Sequence, residues 1–400
     1  MVTITSSYTI IPNEPTPIGR LALSDNDQVA SHSSKPNPQN HGLNMEILHP
    51  NEFTKDLTPA VDYTQPIEEL PLLLVQVTRF HGNGTNDQGI VIGVSFSHPL
   101  CDGLSDIRFV NTWSKMARGG TLDIDELFPS LDRSIIKSPH PPSAPRFDHP
   151  ELKPFPLMLG SSDNIIEQNK KTVAVTLKLT SEQVEKLKKK ANDQSPKEGS
   201  RPYSRFEVIA AYIWRCASKA RQLDQLQPTR LRYIVDIRNR LNPPLPQNYF
   251  GNAYSPTTTP KCYIGDIISK PLSYVAQQIR EANDLIQNEY IWSQQDFIMS
   301  QEQVGDIRAS FQFPGEHKKN SPFYGNPNIS IGSWMHLKWY DADFGWGKPM
   351  NFGPTVVCPS DKAIIIRSLD DSVIISMHFQ EAHMQLFTKF FWEEMLHSKL

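Results

Sequence analysis

Residues 89–103 read Gly-Ile-Val-Ile-Gly-Val-Ser-Phe-Ser-His-Pro-Leu-Cys-Asp-Gly, an apolar run that ends in a short polar turn. The run is apolar enough to form a buried strand over 89–96. Pro99 cannot donate to a sheet, so we expect pairing to stop at His98 and to expose its imidazole at the end of the strand. Gly103 permits a tight turn. Apolar residues then recur at helical spacing through Leu104, Ile107, Val110, Trp113 and Ala117.

His98 stands where a general base could work, although a histidine at a strand end is more often a hydrogen-bonded structural residue. A second block shifts that balance. Residues 343–349 read Asp-Phe-Gly-Trp-Gly-Lys-Pro, in which two glycines flank a tryptophan. Glycine permits backbone angles and close approaches that other residues cannot adopt, so this block predicts a shaped loop. We interpret the loop as a structural clamp and His98 as the reactive group.

Together the two blocks resemble the BAHD acyltransferase family of plants, whose members carry a His-x-x-x-Asp-Gly motif and, near the C-terminus, an Asp-Phe-Gly-Trp-Gly motif. Both motifs are intact here and stand in that order, at 98–103 and 343–347. The resemblance extends along nearly the whole chain, through residues 16–20, 204–207, 213–216, 236–244 and 249–252. Within the family, residues 6–12 and 61–66 look most like the spermidine hydroxycinnamoyl transferases.

The resemblance implies an enzyme that moves an acyl group, expected to be hydroxycinnamoyl, from an acyl-coenzyme A thioester to an amine such as spermidine. Transfer to an alcohol is an alternative, as is an impaired family member that only binds ligand. His98 matches the general base. Asp102, followed by Gly103, matches a residue that points away from substrate and pairs with an arginine. Arg238 and Arg240 are candidates for this partner, since alternation along a strand would place both on one face with Asp236.

The resemblance also assigns residues to the acyl pocket and the coenzyme. Trp334, whose indole N–H can only donate, matches a position beside the reacting centre. The motif residues Asp343, Gly345, Trp346 and Gly347 would shape the coenzyme channel without touching the reacting atoms. Coenzyme binding is carried over to Ser204, Arg205, Arg238, Asn239, Arg240 and Ser333. Arginine suits phosphates, but ion pairs inside the fold explain Arg238 and Arg240 equally well.

One departure from the family pattern bears on which acceptor the enzyme would use. Two residues before Trp334, some relatives that acylate a hydroxylated acid have threonine, and this chain has Gly332. The departure fits an amine acceptor without establishing one. A serine hydrolase is disfavoured because no G-x-S-x-G elbow occurs. A peptide-condensing domain is disfavoured because such domains commonly have a second histidine where Ser97 stands.

The expected fold is α/β of the α+β type: two chloramphenicol-acetyltransferase-like domains, each a mixed sheet with helices, around a central channel. We expect residues 1–158 to form the first domain and 166–400 the second, joined by a proline-rich crossover loop over 121–165. Residues 29–44 are rich in Ser, His, Pro, Asn and Lys, a composition that supports little regular structure, and residues 45–51 follow them. The first domain therefore looks shortened there, which puts full activity in doubt.

Composition narrows the class of protein further. A chain of 400 residues suits two domains, and its net charge of −3 excludes a basic nucleic-acid binder. The four cysteines contain no C-x-x-C pair and indicate reduced thiols. We expect no metal and no permanently bound cofactor, with acyl-coenzyme A as a co-substrate. The other expected partner is a small-molecule amine or alcohol acceptor. We expect the protein to be a monomer.

The expected location is cytoplasmic. Residues 1–11 lack the pattern of a signal peptide, and the apolar run 70–77 is too short to span a bilayer, so no membrane association is predicted. The tripeptide Ser398-Lys399-Leu400 matches a peroxisomal address, which makes the peroxisome the alternative.

Overall fold

The computed structural model describes residues 41–44, 57–59, 70–81, 88–193, 201–301, 324–354 and 361–396. Its strands are β1 (His41–Asn44), β2 (Leu73–His81), β3 (Gln88–Phe96), β4 (Thr172–Leu179), β5 (Pro228–Thr229), β6 (Leu231–Asp236), β7 (Tyr254–Thr258), β8 (Cys262–Tyr263), β9 (Ile329–Ser333), β10 (Asn351–Pro354), β11 (Lys362–Arg367) and β12 (Val373–Gln380). Its α-helices are α1 (Gly103–Ala117), α2 (Ile124–Leu127), α3 (Ile165–Gln168), α4 (Ser181–Asp193), α5 (Arg205–Arg221), α6 (Ile264–Ser269), α7 (Leu272–Leu285), α8 (Asn288–Met299) and α9 (Glu381–Leu396). The family-like stretches at 6–12, 16–20 and 61–66 and the tripeptide 398–400 lie outside the described residues.

The first sheet has the strand order β10-β1-β3-β2, and its pairings are antiparallel. Strands β2 and β3 pair in register from Leu73 opposite Phe96 to His81 opposite Gln88. Gly93 in β3 permits a close crossing, because a Cβ there would lie 1.9 Å from the carbonyl oxygen of Leu57. Little regular structure was predicted for 29–51; of these residues the structure describes only the four of β1, which pairs with β10 on one side and β3 on the other.

Strand β10 joins the first sheet although it follows the clamp loop late in the chain. Its residues pair with β1 from Asn44 opposite Asn351 to His41 opposite Pro354. The predicted division at 158 and 166 assigned this strand to the second domain. The second half of the chain therefore contributes one strand to the first sheet, which ties the clamp loop to the sheet that carries His98.

The second sheet is mixed, with the order β4-β12-β11-β9-β6-β7. The neighbours β11–β9 and β9–β6 are parallel, and the other pairs are antiparallel. Helix α5 supplies the largest buried side chain of the core, Trp214, whose indole N–H donates to the hydroxyl of Thr229 at 3.3 Å. Because β6 and β9 run parallel, the loops that follow Asp236 and Ser333 leave from the same edge of this sheet.

The proline-rich crossover has the irregular character predicted for 121–165, with α2 and 3₁₀ turns at Arg133–Ile136 and Pro150–Leu152. A buried polar cluster fastens it to α8. In this cluster His149 contacts Glu151 and the hydroxyl of Ser293, each at 3.0 Å. The Glu151 carboxylate also accepts from Tyr290 at 2.8 Å and from Gln294 at 2.6 Å. Among the described residues, no helix has both the length and the apolar character needed to cross a membrane.

Candidate active site

The strand-turn-helix corner predicted around His98 is present. Strand β3 ends at Phe96, as predicted, and Ser97 N–H still donates to Leu72 O at 2.9 Å, so backbone pairing stops just before His98. The following turn is closed by Leu100 N–H, which donates to Ser97 O at 2.8 Å. His98 is half-buried in this turn. Its imidazole meets the ring of Tyr254 edge-on, with ring centroids 6.2 Å apart.

Asp102 begins helix α1 and forms a bidentate ion pair with Arg238. Each of its carboxylate oxygens lies 2.9 Å from a guanidinium nitrogen. The oxygens also accept the backbone N–H of Ser105 at 3.1 Å and of Ala253 at 2.9 Å. Burial acts to raise the pKa of Asp102, but the charge and hydrogen bonds of Arg238 outweigh it and the pKa is lowered. Asp102 is thus an ionised brace of the turn.

Arg238 is committed to the interior of the protein. Besides Asp102, its guanidinium donates to the hydroxyl of Ser105 at 3.0 Å, to Gly251 O at 3.1 Å and to Asp236 at 3.2 Å. Burial opposes its charge, yet the two carboxylates raise its pKa. Of the two interpretations of Arg238 weighed from the sequence, the structure therefore shows the internal ion pair.

Arg240 does not share a strand face with Asp236 and Arg238, so the alternation argument was wrong. Strand β6 ends at Asp236, and residues 238–240 form a turn. The turn directs Arg240 toward the junction of α7 and α8, where it donates to Asn283 O and Ile286 O, both at 2.8 Å. Burial lowers the pKa of Arg240, and both of these acceptors are neutral backbone carbonyls. The guanidinium of Arg240 is therefore bonded within the fold.

The remaining residues assigned to coenzyme lie on three elements. Ser204 caps α5, since its hydroxyl accepts from Glu207 N–H at 3.2 Å. Arg205 opens the same helix and pairs with Asp371 at 2.8 Å, and the hydrogen bonds that its guanidinium donates to that carboxylate raise the pKa of Arg205. Asn239 is exposed in the turn after β6. Ser333 ends β9 at the same edge of the sheet, and its buried hydroxyl has no hydrogen-bond partner among the described residues.

Trp334 follows β9 directly and is half-buried. Its backbone N–H donates to Ile365 O at 2.8 Å, and its indole ring lies 5.6 Å from the ring of Phe352 in β10. Among the described residues, a Cβ placed on Gly332 would meet only Ala363 O, at 4.0 Å. The strand therefore has room for a side chain at the position where this sequence carries none.

The loop at 343–347 is folded around its own aspartate. One oxygen of Asp343 accepts Gly345 N–H at 2.8 Å and Gly347 N–H at 3.0 Å, and these bonds lower its pKa. Both glycines have positive φ angles, 99° and 101°, which favour glycine. Arg118, just after α1, donates to Asp343 O at 2.6 Å.

Aromatic contacts fix the same loop against helix α1. Phe344 packs edge-on against Trp113 at 4.6 Å, while Trp346 stacks over Phe344 and is 70% exposed. The loop thus holds helix α1, whose N-cap is Asp102. This agrees with the structural clamp that the sequence predicted. Among the described residues, no group of histidine, cysteine, aspartate and glutamate side chains is arranged to hold a metal.

Sequence reasoning missed the segment that touches the histidine turn from the other half of the chain. The side-chain amide of Asn252 donates to His98 O at 2.8 Å and contacts Pro99 O at 3.4 Å. Ala253 N–H reaches Asp102, and Tyr254 meets the His98 ring. Residues 249–252 were noted for their family likeness, but no local pattern indicated these contacts.

Comparison with known proteins places the chain in a family. The sequence profile described as Transferase family matches residues 43–394. Hydroxycinnamoyl-CoA:piscidic acid hydroxycinnamoyltransferase of Actaea racemosa is 43% identical over 87% of this chain and 76% of its own. Shikimate O-hydroxycinnamoyltransferase of Nicotiana tabacum is 36% identical over 85% of this chain and 74% of its own.

Solved structures share the fold. TRI101 of F. sporotrichioides, crystallised with coenzyme A and T-2, superposes with a TM-score of 0.63 at 20% identity, covering 80% of this chain and 68% of its own. Vinorine synthase superposes with a TM-score of 0.54 at 20% identity, covering 80% and 65%. The expected α/β fold class is thereby confirmed. With the family profile and the curated relatives, these matches show that the chain belongs to the BAHD acyltransferase family and is an acyltransferase.

Proposed function

We propose that the protein transfers a hydroxycinnamoyl group from its coenzyme A thioester to a small acceptor, with His98 as general base. The observation that carries the proposal is the half-buried imidazole on a turn that the Asp102–Arg238 pair holds in place. The donor class is supported by relatives such as the Actaea racemosa and Nicotiana tabacum enzymes, which are named as hydroxycinnamoyltransferases.

The reaction needs only a positioned base and a donor to the oxyanion, because a thioester is already activated. His98 removes the proton from the acceptor N–H or O–H while that nitrogen or oxygen attacks the carbonyl carbon. The tetrahedral intermediate expels the coenzyme A thiolate, which receives the proton from the imidazolium and leaves His98 neutral. Asp102 braces the turn through Arg238, unlike the carboxylate of a serine-protease triad, which orients the histidine.

Around this centre, Trp334 supplies an N–H for the oxyanion, since the indole nitrogen can only donate. Asn239 and Ser333 are the coenzyme contacts best supported by geometry. Asn239 is exposed, and the buried hydroxyl of Ser333 has no hydrogen-bond partner among the described residues. The channel for both substrates runs between two domains formed by residues 1–158 and 166–400, with β10 of the second half contributed to the first sheet. One chain supplies both sides of the histidine turn, which supports action as a monomer.

The acceptor is an amine such as spermidine, with a hydroxyl acceptor as the second candidate. Gly332 supports the amine, because the chain has no hydroxyl at the position where some acid-using relatives have one. The names of relatives favour the second candidate, since they include an O-transferase for shikimate. A further relative from Avena sativa, 35% identical, is named as an N-transferase for 5-hydroxyanthranilate.

A matrix of donors and acceptors tests the proposal. Purified protein is incubated with p-coumaroyl-, caffeoyl-, feruloyl- and acetyl-coenzyme A against spermidine, shikimate and 5-hydroxyanthranilate, with thiol release and product masses recorded. We expect release with the hydroxycinnamoyl donors and a spermidine conjugate. Products formed only with shikimate would move the assignment to O-transfer. Folded protein that binds these donors without releasing thiol would mark it as an impaired family member.

A further inference from the structure

We propose that Asn252 and Tyr254 are positioning residues that hold the His98 imidazole in its reactive geometry, Asn252 through the backbone and Tyr254 through the ring. This inference rests on the proposed role of His98 as the base. Both residues come from the connection into β7, far along the chain from the turn they touch. Neither is assigned to proton transfer or to substrate.

The backbone of the histidine turn depends on Asn252. Pro99 has no N–H, and the carbonyls of His98 and Pro99 both face the side-chain amide of Asn252, at 2.8 and 3.4 Å. The asparagine is fully buried. Its NH₂ group can therefore fix the orientation of the peptide that follows His98, and with it the direction in which the imidazole leaves the backbone.

The residues on either side of Asn252 anchor it to the far end of the same turn. Gly251 O accepts from the hydroxyl of Ser105 at 3.1 Å, and Gly251 N–H donates back to that hydroxyl at 3.2 Å. Ala253 N–H donates to Asp102 at 2.9 Å. Gly251, Asn252 and Ala253 thus contact both ends of the turn. Because its two neighbours are hydrogen-bonded to Ser105 and Asp102, Asn252 contacts His98 from a fixed position.

Tyr254 acts on the other degree of freedom, the rotation of the imidazole. Its ring lies 6.2 Å from the imidazole at an interplanar angle of 77°, the geometry of an edge-to-face pair. The tyrosine is buried and begins β7, where it lies opposite Asp236 of β6. A rigid aromatic wall on one side of the imidazole restricts the rotamers from which the base can reach an acceptor.

Asn328 provides a control matched in chemistry. It too is fully buried, and its amide donates to a backbone carbonyl, that of Pro156, at 2.9 Å. Asn252→Ala and Asn328→Ala therefore remove the same group from comparable surroundings. We expect Asn252→Ala to lower kcat roughly 10- to 100-fold with KM within about twofold, because a small misplacement of a catalytic group has that effect. Asn328→Ala should keep kcat within about twofold even where it lowers the urea midpoint.

Tyr254 is tested with a conservative pair, which also serves if Asn252→Ala does not fold. Tyr254→Phe keeps the ring and should retain at least about half of kcat, whereas Tyr254→Leu should lower kcat about tenfold or more at unchanged KM. Equal kcat for the two tyrosine variants, or equal kcat losses in the two asparagine variants, would overturn the inference. His98→Ala is measured alongside. An active His98→Ala rejects the proposed base, whereas an inactive His98→Ala with unaffected Asn252 and Tyr254 variants rejects only the positioning roles.

Discussion

Replacing Asp102 by asparagine removes one charge from the brace behind His98 while keeping the shape of the side chain. Asparagine is as good a helix N-cap as aspartate, so the cap of α1 can persist. The loss of unfolding free energy then measures the missing ion pair with Arg238. The side chains of Asp102 and Arg238 are only 12% and 5% exposed. Removing one partner of a buried ion pair leaves the other charge uncompensated and costs roughly 3–5 kcal/mol.

The same arginine offers a matched control. Asp236 contacts Arg238 at 3.2 Å, but its side chain is 51% exposed, so Asp236→Asn should cost no more than about 1 kcal/mol. Both variants are measured by urea unfolding followed through tryptophan fluorescence. Since folded proteins are stable by about 5–15 kcal/mol, Asp102→Asn should shift the midpoint strongly and reduce the yield of folded protein.

The difference in unfolding free energy between wild type and Asp102→Asn should depend on pH in one direction. The pKa of Asp102 is lowered in the folded protein, so its contribution is present above the unfolded value of about 3.9 and is lost as the pH falls below it. The gap between wild type and Asp102→Asn should therefore be constant from pH 6 to 8 and narrow below about pH 4. An Asp102→Asn protein no less stable than Asp236→Asn at pH 7 would refute the reasoning.

Three further substitutions test other parts of the fold by the same unfolding assay. Burial raises the pKa of Asp106, so Asp106→Asn should match wild type near pH 4 and exceed its stability by about 1–3 kcal/mol at pH 8; a destabilised variant at pH 8 contradicts this. Glu151→Ala should cost about 3 kcal/mol or more because the buried donors Tyr290 and Gln294 lose their acceptor and His149 loses a partner. A loss under about 1 kcal/mol would contradict the cluster's role. Gly93→Ala should cost at least about 2 kcal/mol because its Cβ would meet Leu57 O at 1.9 Å, and unchanged stability would contradict that crossing.

Local patterns in the sequence predicted the elements that carry the site. The apolar run before His98, the glycine at 103 and the helical spacing after it were sufficient for the corner, because each acts on its own neighbours in the chain. Helix α4 also begins at a local signal, a capping box in which Thr180 and Gln183 are bonded reciprocally. The two glycines at 345 and 347 indicated a shaped loop, and both have positive φ.

Features that depend on distant partners were missed or left open. Strands β1 and β10 are each four residues long and pair with one another across the chain, so neither carries a pattern of its own. The choice between Arg238 and Arg240 depended on where β6 ends, and the turn after Asp236 decided it. Asn252 and His98 are 154 residues apart, and a side-chain bond to a backbone carbonyl leaves no trace in either local sequence.

The central claim is that the His98 imidazole takes the proton from the acceptor. Its most direct test is the initial rate of coenzyme A release by His98→Ala and His98→Gln, compared with wild type at saturating donor and acceptor. Both variants should be folded, as judged by their urea midpoints, and slower by roughly a hundredfold or more, the usual contribution of a positioned base. Turnover within about threefold of wild type in either folded variant would contradict the account.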